Sequence, residues 1–244
     1  MQRRESLIFN TIIAVFLTFL AFPQITFCFR ISSTFQSYPH SYGDKFNLFS
    51  KLTAKDSVEL SHLNSRKVFL TGQVDDELAH KITTQLIHLH NLNSSEPIKL
   101  YINSPGGSVT AGLAIYDIIR EIGLVETLCL GQAASMGAFL LAAGVKGRRS
   151  AYPSARIMIH QPIGGAHGQA TDIEIQANEI LNTRQFLSRH LSYLTGKSLA
   201  EIESDCDRDY FMNPTEALKY GIIDKIISTD TSSILIDSNN YLMP

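Results

Sequence analysis

The feature that most constrains this chain is the stretch Gly131-Gln132-Ala133-Ala134-Ser135-Met136-Gly137-Ala138-Phe139. The apolar run Val125–Leu130 before it reads as a buried strand. Ala138–Ala143 after it is small, apolar and rich in helix formers. A serine between them, flanked by Ala133 and Gly137, fits a sharp strand-to-helix turn that lifts a hydroxyl clear of the backbone. The helix that follows would aim its first N–H groups and the positive end of its dipole near that hydroxyl. Taken alone, the same residues also suit plain strand–helix packing. The choice rests on the rest of the chain.

Other segments supply partners for a serine nucleophile. Arg156–Pro162 is a second short apolar strand with His160 near its C-terminal end. The segment Cys206–Met212 carries carboxylates at Asp207 and Asp209 just before the helix start Asn213-Pro214-Thr215-Glu216. Leu100–Ser108 is a strand running into the Gly106-Gly107 turn. A serine hydroxyl is inert at neutral pH unless a base lies within hydrogen-bond reach and a third group orients that base. From residue types alone Asp205, Asp207 and Asp209 compete for the third role.

Strands and helices alternate along this part of the chain. Lys67–Leu70 is a strand, and Asp75 stands as N-cap to a helix whose apolar face is Leu78, Ile82, Leu86 and Leu89. Ile98–Asn103 is the next strand and Ala111–Ile122 the next helix. This order implies βαβ units with parallel pairing, an α/β class, and a site beyond the carboxyl ends of the strands. Gly107, Ser135 and His160 all fall at that edge. Ala170–Leu194 reads as one long helix closed by Gly196, and Ser198 with Glu201 as a capping box for another.

In these motifs the chain resembles ClpP, the proteolytic subunit of the Clp protease. Tyr-Ile-Asn-Ser-Pro-Gly-Gly at 101–107, Gly-Gln-Ala-Ala-Ser-Met-Gly at 131–137 and Met-Ile-His-Gln-Pro at 158–162 carry the resemblance. Gly168–Ile173 and Arg208–Met212 follow in the family's order, so it runs from about Arg66 to Ser228. It implies a ClpP/crotonase-type βαβ spiral with a projecting handle helix, and a serine endopeptidase that cuts unfolded polypeptides to small peptides. Ser135 would be the nucleophile, His160 the general base and then acid, and Asp209 the group that holds the imidazole. The backbone N–H groups of Gly107 and Met136 would form the oxyanion hole. Substrate would lie as an added strand along Gly107, Ser108 and Val109 and along Gln161 and Pro162. Glycine is expected at 107 because a Cβ would obstruct that substrate. Asp207 and Arg208 would make ring-to-ring contacts between two stacked heptamers fed by a Clp-type AAA+ ATPase. Lys99 stands where relatives often carry an aromatic residue of the ATPase-docking pocket, while Tyr101 is retained. Hydratases and isomerases of the same fold need no Ser–His–Asp set, and inactive scaffold subunits of plastid lineages lose members of it.

Composition excludes other classes. A net charge of −2 at pH 7 gives no electrostatic case for nucleic acid. Three scattered cysteines make neither a disulfide framework nor a zinc site, and His80, His88 and His90 read as surface residues, so no metal is expected. No Gly-x-x-x-x-Gly-Lys-Ser/Thr loop occurs, so ATP would be used by the partner ATPase and the chain itself needs no cofactor.

The ends of the chain read differently. Arg3 and Arg4 before the apolar run Leu7–Phe22, with Pro23 and Thr26–Cys28 following, read as a signal peptide over residues 1–28. Residues 29–64 form a hydroxyl-rich, transit-peptide-like extension ahead of a peptidase domain at 65–230, and 231–244 a polar tail. A signal peptide followed by such an extension looks like the bipartite leader of proteins bound for a complex plastid or apicoplast, with the mitochondrion as the alternative. Membrane contact is expected only through that leader.

Overall fold

In the computed structural model residues 54–227 are described, and these contain seven helices and seven strands. The signal-peptide reading, most of the transit-like reading and the C-terminal tail lie outside those residues. The first element, α1 (Ala54–Asn64), belongs to the stretch read as an extension. Its last turn packs on the domain: Leu63 lies against the core and the His62 ring stands 4.8 Å from Phe69. Structure therefore begins ahead of the expected boundary at 65.

The strands β1 (Lys67–Thr71), β2 (Ile98–Ser104) and β3 (Val125–Ala134) pair in parallel as expected from the strand–helix alternation. The connecting helices are α2 (Asp76–Leu92) and α3 (Val109–Ile122). Asp75 caps α2 by accepting from the Leu78 N–H, and Ala79, Ile82, Leu86 and Leu89 form its buried stripe. Ser108 caps α3 in the same way, accepting from the Ala111 N–H. Alternate β2 residues Ile98, Leu100, Ile102 and Ser104 are fully buried, while Lys99 is exposed.

Strand β3 is the longest, and it changes partner midway. Its first half pairs with β4 (Arg149–Ala151) through Thr127–Cys129. After Gly131, at φ 61°, its last residues Gln132–Ala134 pair instead with β5 (Arg156–Ile159). The register against β2 slips at the same place, and the Asn103 side chain bridges the gap by accepting from the Gln132 N–H at 3.3 Å. The sheet order is β1-β2-β3-β4-β7, with β7 being Lys225–Ile226, and β5 branches off with β6 (Tyr210–Met212). β6 runs antiparallel to β5, a pairing outside the parallel βαβ units expected from the sequence. Neither β4 nor β6 was legible as a strand; three residues are too few for a period.

Helix α4 (Met136–Ala143) is buried at every position, so its all-apolar sequence carries no polar face. Helix α5 (Ala170–Thr195) is the long helix, ended by Gly196 at φ 82°. Only Ser188, Leu191, Leu194 and Thr195 are buried on it, and residues 170–179 are all exposed. Helices α6 (Leu199–Asp205) and α7 (Pro214–Tyr220) both start with capping boxes, Ser198/Glu201 and Asn213/Glu216.

One buried charge joins the distant ends of this domain. Arg149 is 1 % exposed, yet its guanidinium donates to both carboxylate oxygens of Asp224 at 2.9 and 2.7 Å and to the carbonyls of Leu194 and Ala142. The last two are orphan acceptors at the C-terminal ends of α5 and α4. Burial acts to raise the Asp224 carboxyl, but the hydrogen bonds from Arg149 and Gly147 prevail and hold it below its ordinary 3.8. Asp224→Ala should therefore cost about 3 kcal/mol, because it leaves a buried guanidinium without its counter-charge. Urea titration of the assembled protein checks this. The contribution of the pair should be complete above the ordinary carboxylate range and should fade as pH falls towards the depressed native value.

Candidate active site

Ser135 adopts φ 54° and ψ −122°, a conformation rare for any residue with a side chain. It is held there from three sides. Its N–H donates to the Met158 carbonyl at 2.8 Å, tying it to β5. Its carbonyl accepts from Ala138 and Phe139 as the first turn of α4. The Gly106 backbone presses on its Cβ, since a Cβ built on Gly106 would lie 2.6 Å from the Ser135 Cβ and 2.8 Å from the Ala134 oxygen. Gly137, the small residue on the other flank, sits close against the Ser104 backbone. The sharp-turn reading of this stretch holds, and packing accounts for its small residues as well.

His160 follows β5 by one residue, and strand register sets what it meets. The antiparallel pairs Ile157↔Met212, Met158↔Phe211 and Ile159↔Tyr210 place Asp209 opposite His160. The His160 Nδ1 lies 2.9 Å from Asp209 Oδ1, and its Nε2 lies 2.9 Å from the Ser135 Oγ. An ionised carboxylate only accepts, so Nδ1 carries the proton; Nε2 then accepts and the Ser135 hydroxyl donates. The other two carboxylates are engaged elsewhere. Asp205 accepts from the Tyr220 hydroxyl at 2.8 Å, and Asp207 lies 3.9 Å from the Arg208 guanidinium. His160 is largely covered, at 15 % exposed, while Asp209 is 58 % exposed in the single chain.

The Gly106–Gly107 turn after β2 lies beside the serine. Val74 bridges to Gly107: its N–H donates to the Gly106 carbonyl at 2.8 Å, and its carbonyl accepts from Ser108 N–H at 2.7 Å. Among the described residues the Gly107 N–H and the Met136 N–H have no backbone acceptor, so both remain for an incoming oxygen. The need for glycine at 107 has a different cause from the one expected. A Cβ there would run into the Val74 backbone carbonyl and come 2.8 Å from its nitrogen, at a φ of 150° that only glycine adopts easily. The protein's own chain, not the substrate, excludes it.

Ser108 and Val109 open α3 on one side of the serine, with Ser108 committed as the cap. Gln161 and Pro162 stand on the other, and the Gln161 donors are spent on the loop that carries Asp209. Its N–H donates to the Cys206 carbonyl at 2.6 Å and its side-chain amide to the Asp207 carbonyl at 2.8 Å. A pocket opens directly beside Ser135, with apolar walls from Met136, Phe139, Leu187 and Leu191. Arg184 and Ser188, one turn apart on the same helical face, line it too and were not singled out from the sequence. A polar residue on a long helix carries no mark of which neighbour it faces. Among the described residues Asp207 meets this group only through the Gln161 amide, and the Arg208 side chain is 93 % exposed.

The arrangement can perform the chemistry of a serine peptidase: a hydroxyl on a strained turn, an imidazole within reach, a carboxylate behind it and free N–H groups near the starts of α3 and α4. A family model for the Clp protease matches residues 52–230, which includes every residue just described. The chain belongs to the Clp protease family and is a ClpP-like peptidase.

Proposed function

We propose that this chain is the proteolytic subunit of an ATP-dependent Clp protease, a serine endopeptidase acting in protein quality control and turnover. The observation that carries the reading is the pair of 2.9 Å contacts that join Ser135, His160 and Asp209, each next to the end of a different strand. His160 Nε2 takes the Ser135 proton as Oγ attacks the scissile carbonyl, then returns it to the leaving amine. Asp209 holds the imidazole in the tautomer this requires. The Gly107 and Met136 N–H groups receive the developing oxyanion, aided by the N-terminal end of α4. Substrate lies extended between Gly107–Val109 and Gln161–Pro162, and no step calls for a metal or cofactor in this chain.

Assembly and feeding belong to the same proposal. The first half of α5 leaves Ile175 and Leu181 exposed at 67 % and 58 %, apolar surface suited to burial between two stacked heptamers. Asp207 and Arg208, next to the triad acid in sequence, would contact the facing ring. A Clp-type AAA+ ATPase would dock and thread unfolded polypeptide; Tyr101, stacked on Phe69 at 4.8 Å, supports an aromatic docking surface. The bipartite composition of residues 1–64 supports delivery to a plastid.

Ser135→Ala should lower turnover of fluorogenic peptides by about 10⁴-fold or more, with assembly retained and fluorophosphonate labelling lost. Substantial residual activity in a clean preparation would refute the nucleophile. Arg208→Ala should favour single rings with low peptidase activity in sedimentation and peptide assays; a fully double-ringed, fully active variant would leave Arg208 a solvated charge. Residues 1–50 fused to a fluorescent protein should reach an organelle, and export to the medium would exclude the plastid reading.

A further inference from the structure

The pocket beside Ser135 is not apolar throughout. Arg184, Leu187, Ser188 and Leu191 recur at i, i+3, i+4 and i+7, so one face of α5 lines it. Leu187 and Leu191 continue the apolar wall of Met136 and Phe139, but the other two bring a cation and a hydroxyl. Ser188 is 5 % exposed; among the described residues its Oγ makes no hydrogen bond, and the atom is not sealed in but keeps contact with solvent at the pocket wall. That is unusual for a helical serine, which commonly donates back to the preceding turn as Thr195 does to the Leu191 carbonyl at 2.7 Å. Arg184 is half-buried and makes no ion pair or hydrogen bond among the described residues. Of the other polar wall groups, Ser135 and His160 are the reacting pair, Gln161 is uncharged, and the Cys206 thiol is pushed up to about 11 by burial and the neighbouring Asp205, against a smaller opposing effect of Arg184. Nothing in the pocket wall offsets the Arg184 charge.

We infer that this pocket selects the substrate side chain preceding the scissile bond (P1) for an unbranched apolar stem that ends in a carbonyl or carboxylate oxygen, glutamine or glutamate. The inference rests on the peptidase reading above and names its substrate preference. The CH₂ groups of such a side chain lie against Met136, Phe139 and Leu187, and its terminal oxygen accepts from Ser188 Oγ and the Arg184 guanidinium. An aliphatic P1 residue would cut the Ser188 hydroxyl off from water without offering it an acceptor, at a cost in free energy, whereas an oxygen at this position supplies that acceptor. A P1 lysine meets Arg184 as a like charge and is excluded.

The test uses the assembled protein and four peptidyl-aminomethylcoumarins that differ only in P1: leucine, glutamine, glutamate and lysine. Glutamate and glutamine should be cleaved with kcat/KM within about tenfold of leucine or better, and lysine far more slowly. Arg184→Leu should lower the glutamate-to-leucine ratio of kcat/KM by about tenfold, the order of one charge-assisted hydrogen bond, and Arg184→Lys should restore most of it. Ser188→Ala should lower the glutamine-to-leucine ratio severalfold. A purely structural role would move both substrates alike and leave the ratios fixed, which would overturn the inference. Turnover of the leucine peptide with glutamate and lysine equally poor would overturn it as well, with the peptidase reading intact. No turnover of any peptide, with Ser135 unlabelled by a fluorophosphonate, would overturn both.

Discussion

Two turns from neighbouring strands press against each other at the heart of this molecule. Gly106, in the turn after β2, lies so close to Ser135, in the turn after β3, that no side chain fits between them. That contact holds the serine at φ 54°, and the unfavourable conformation persists because three separate attachments oppose its relaxation. The Val74 bridge braces the opposite side of the glycine turn. The same turn lies beside the start of α4, since a Cβ on Gly106 would also come within 3.1 Å of the Met136 nitrogen.

The sheet delivers the other two groups through a change of partner. Because β3 outruns β4 and its register slips at Gly131, its last residues become available to β5. β5 then carries His160 past the serine, and β6, folded back antiparallel on β5, brings Asp209 behind the imidazole. Each side chain sits one residue beyond a strand end, where the backbone is fixed by the ladder and the side chain stands free of it. The Gln161 side chain locks the intervening loop. Asp209 nevertheless has more than half its surface exposed, so the acid is the least enclosed member of the three.

The stacking of rings proposed above would cover the exposed half of α5. A 26-residue helix with ten consecutive exposed positions at its start gains little from the domain that bears it. Its C-terminal end is different: Leu191 and Leu194 are in the core, and Arg149 satisfies the Leu194 carbonyl. The buried end is also the end that lines the pocket beside Ser135, so one helix presents both an open apolar face and a wall of the site.

Much of this was legible in the sequence because it depends on local chemistry. Caps at Asp75, Ser198 and Asn213, the stop at Gly196 and the apolar faces of α2 and α3 are decided within a turn or two of chain. The serine turn and His160 were legible through motifs whose spacing survives without coordinates. What only the tertiary structure decided depends on pairing between distant segments. Asp205, Asp207 and Asp209 are alike by composition, and the β5–β6 register, set by residues about fifty positions apart, separates them. Arg149 looks like any charged loop residue until β7 brings Asp224 to it across 75 positions. Gly107 was singled out for its place and given the wrong neighbour, since Val74 reaches it only in the folded sheet. Arg184 and Ser188 face the pocket because of how α5 is rotated against α4, and a sequence pattern fixes a helical face without fixing what that face meets.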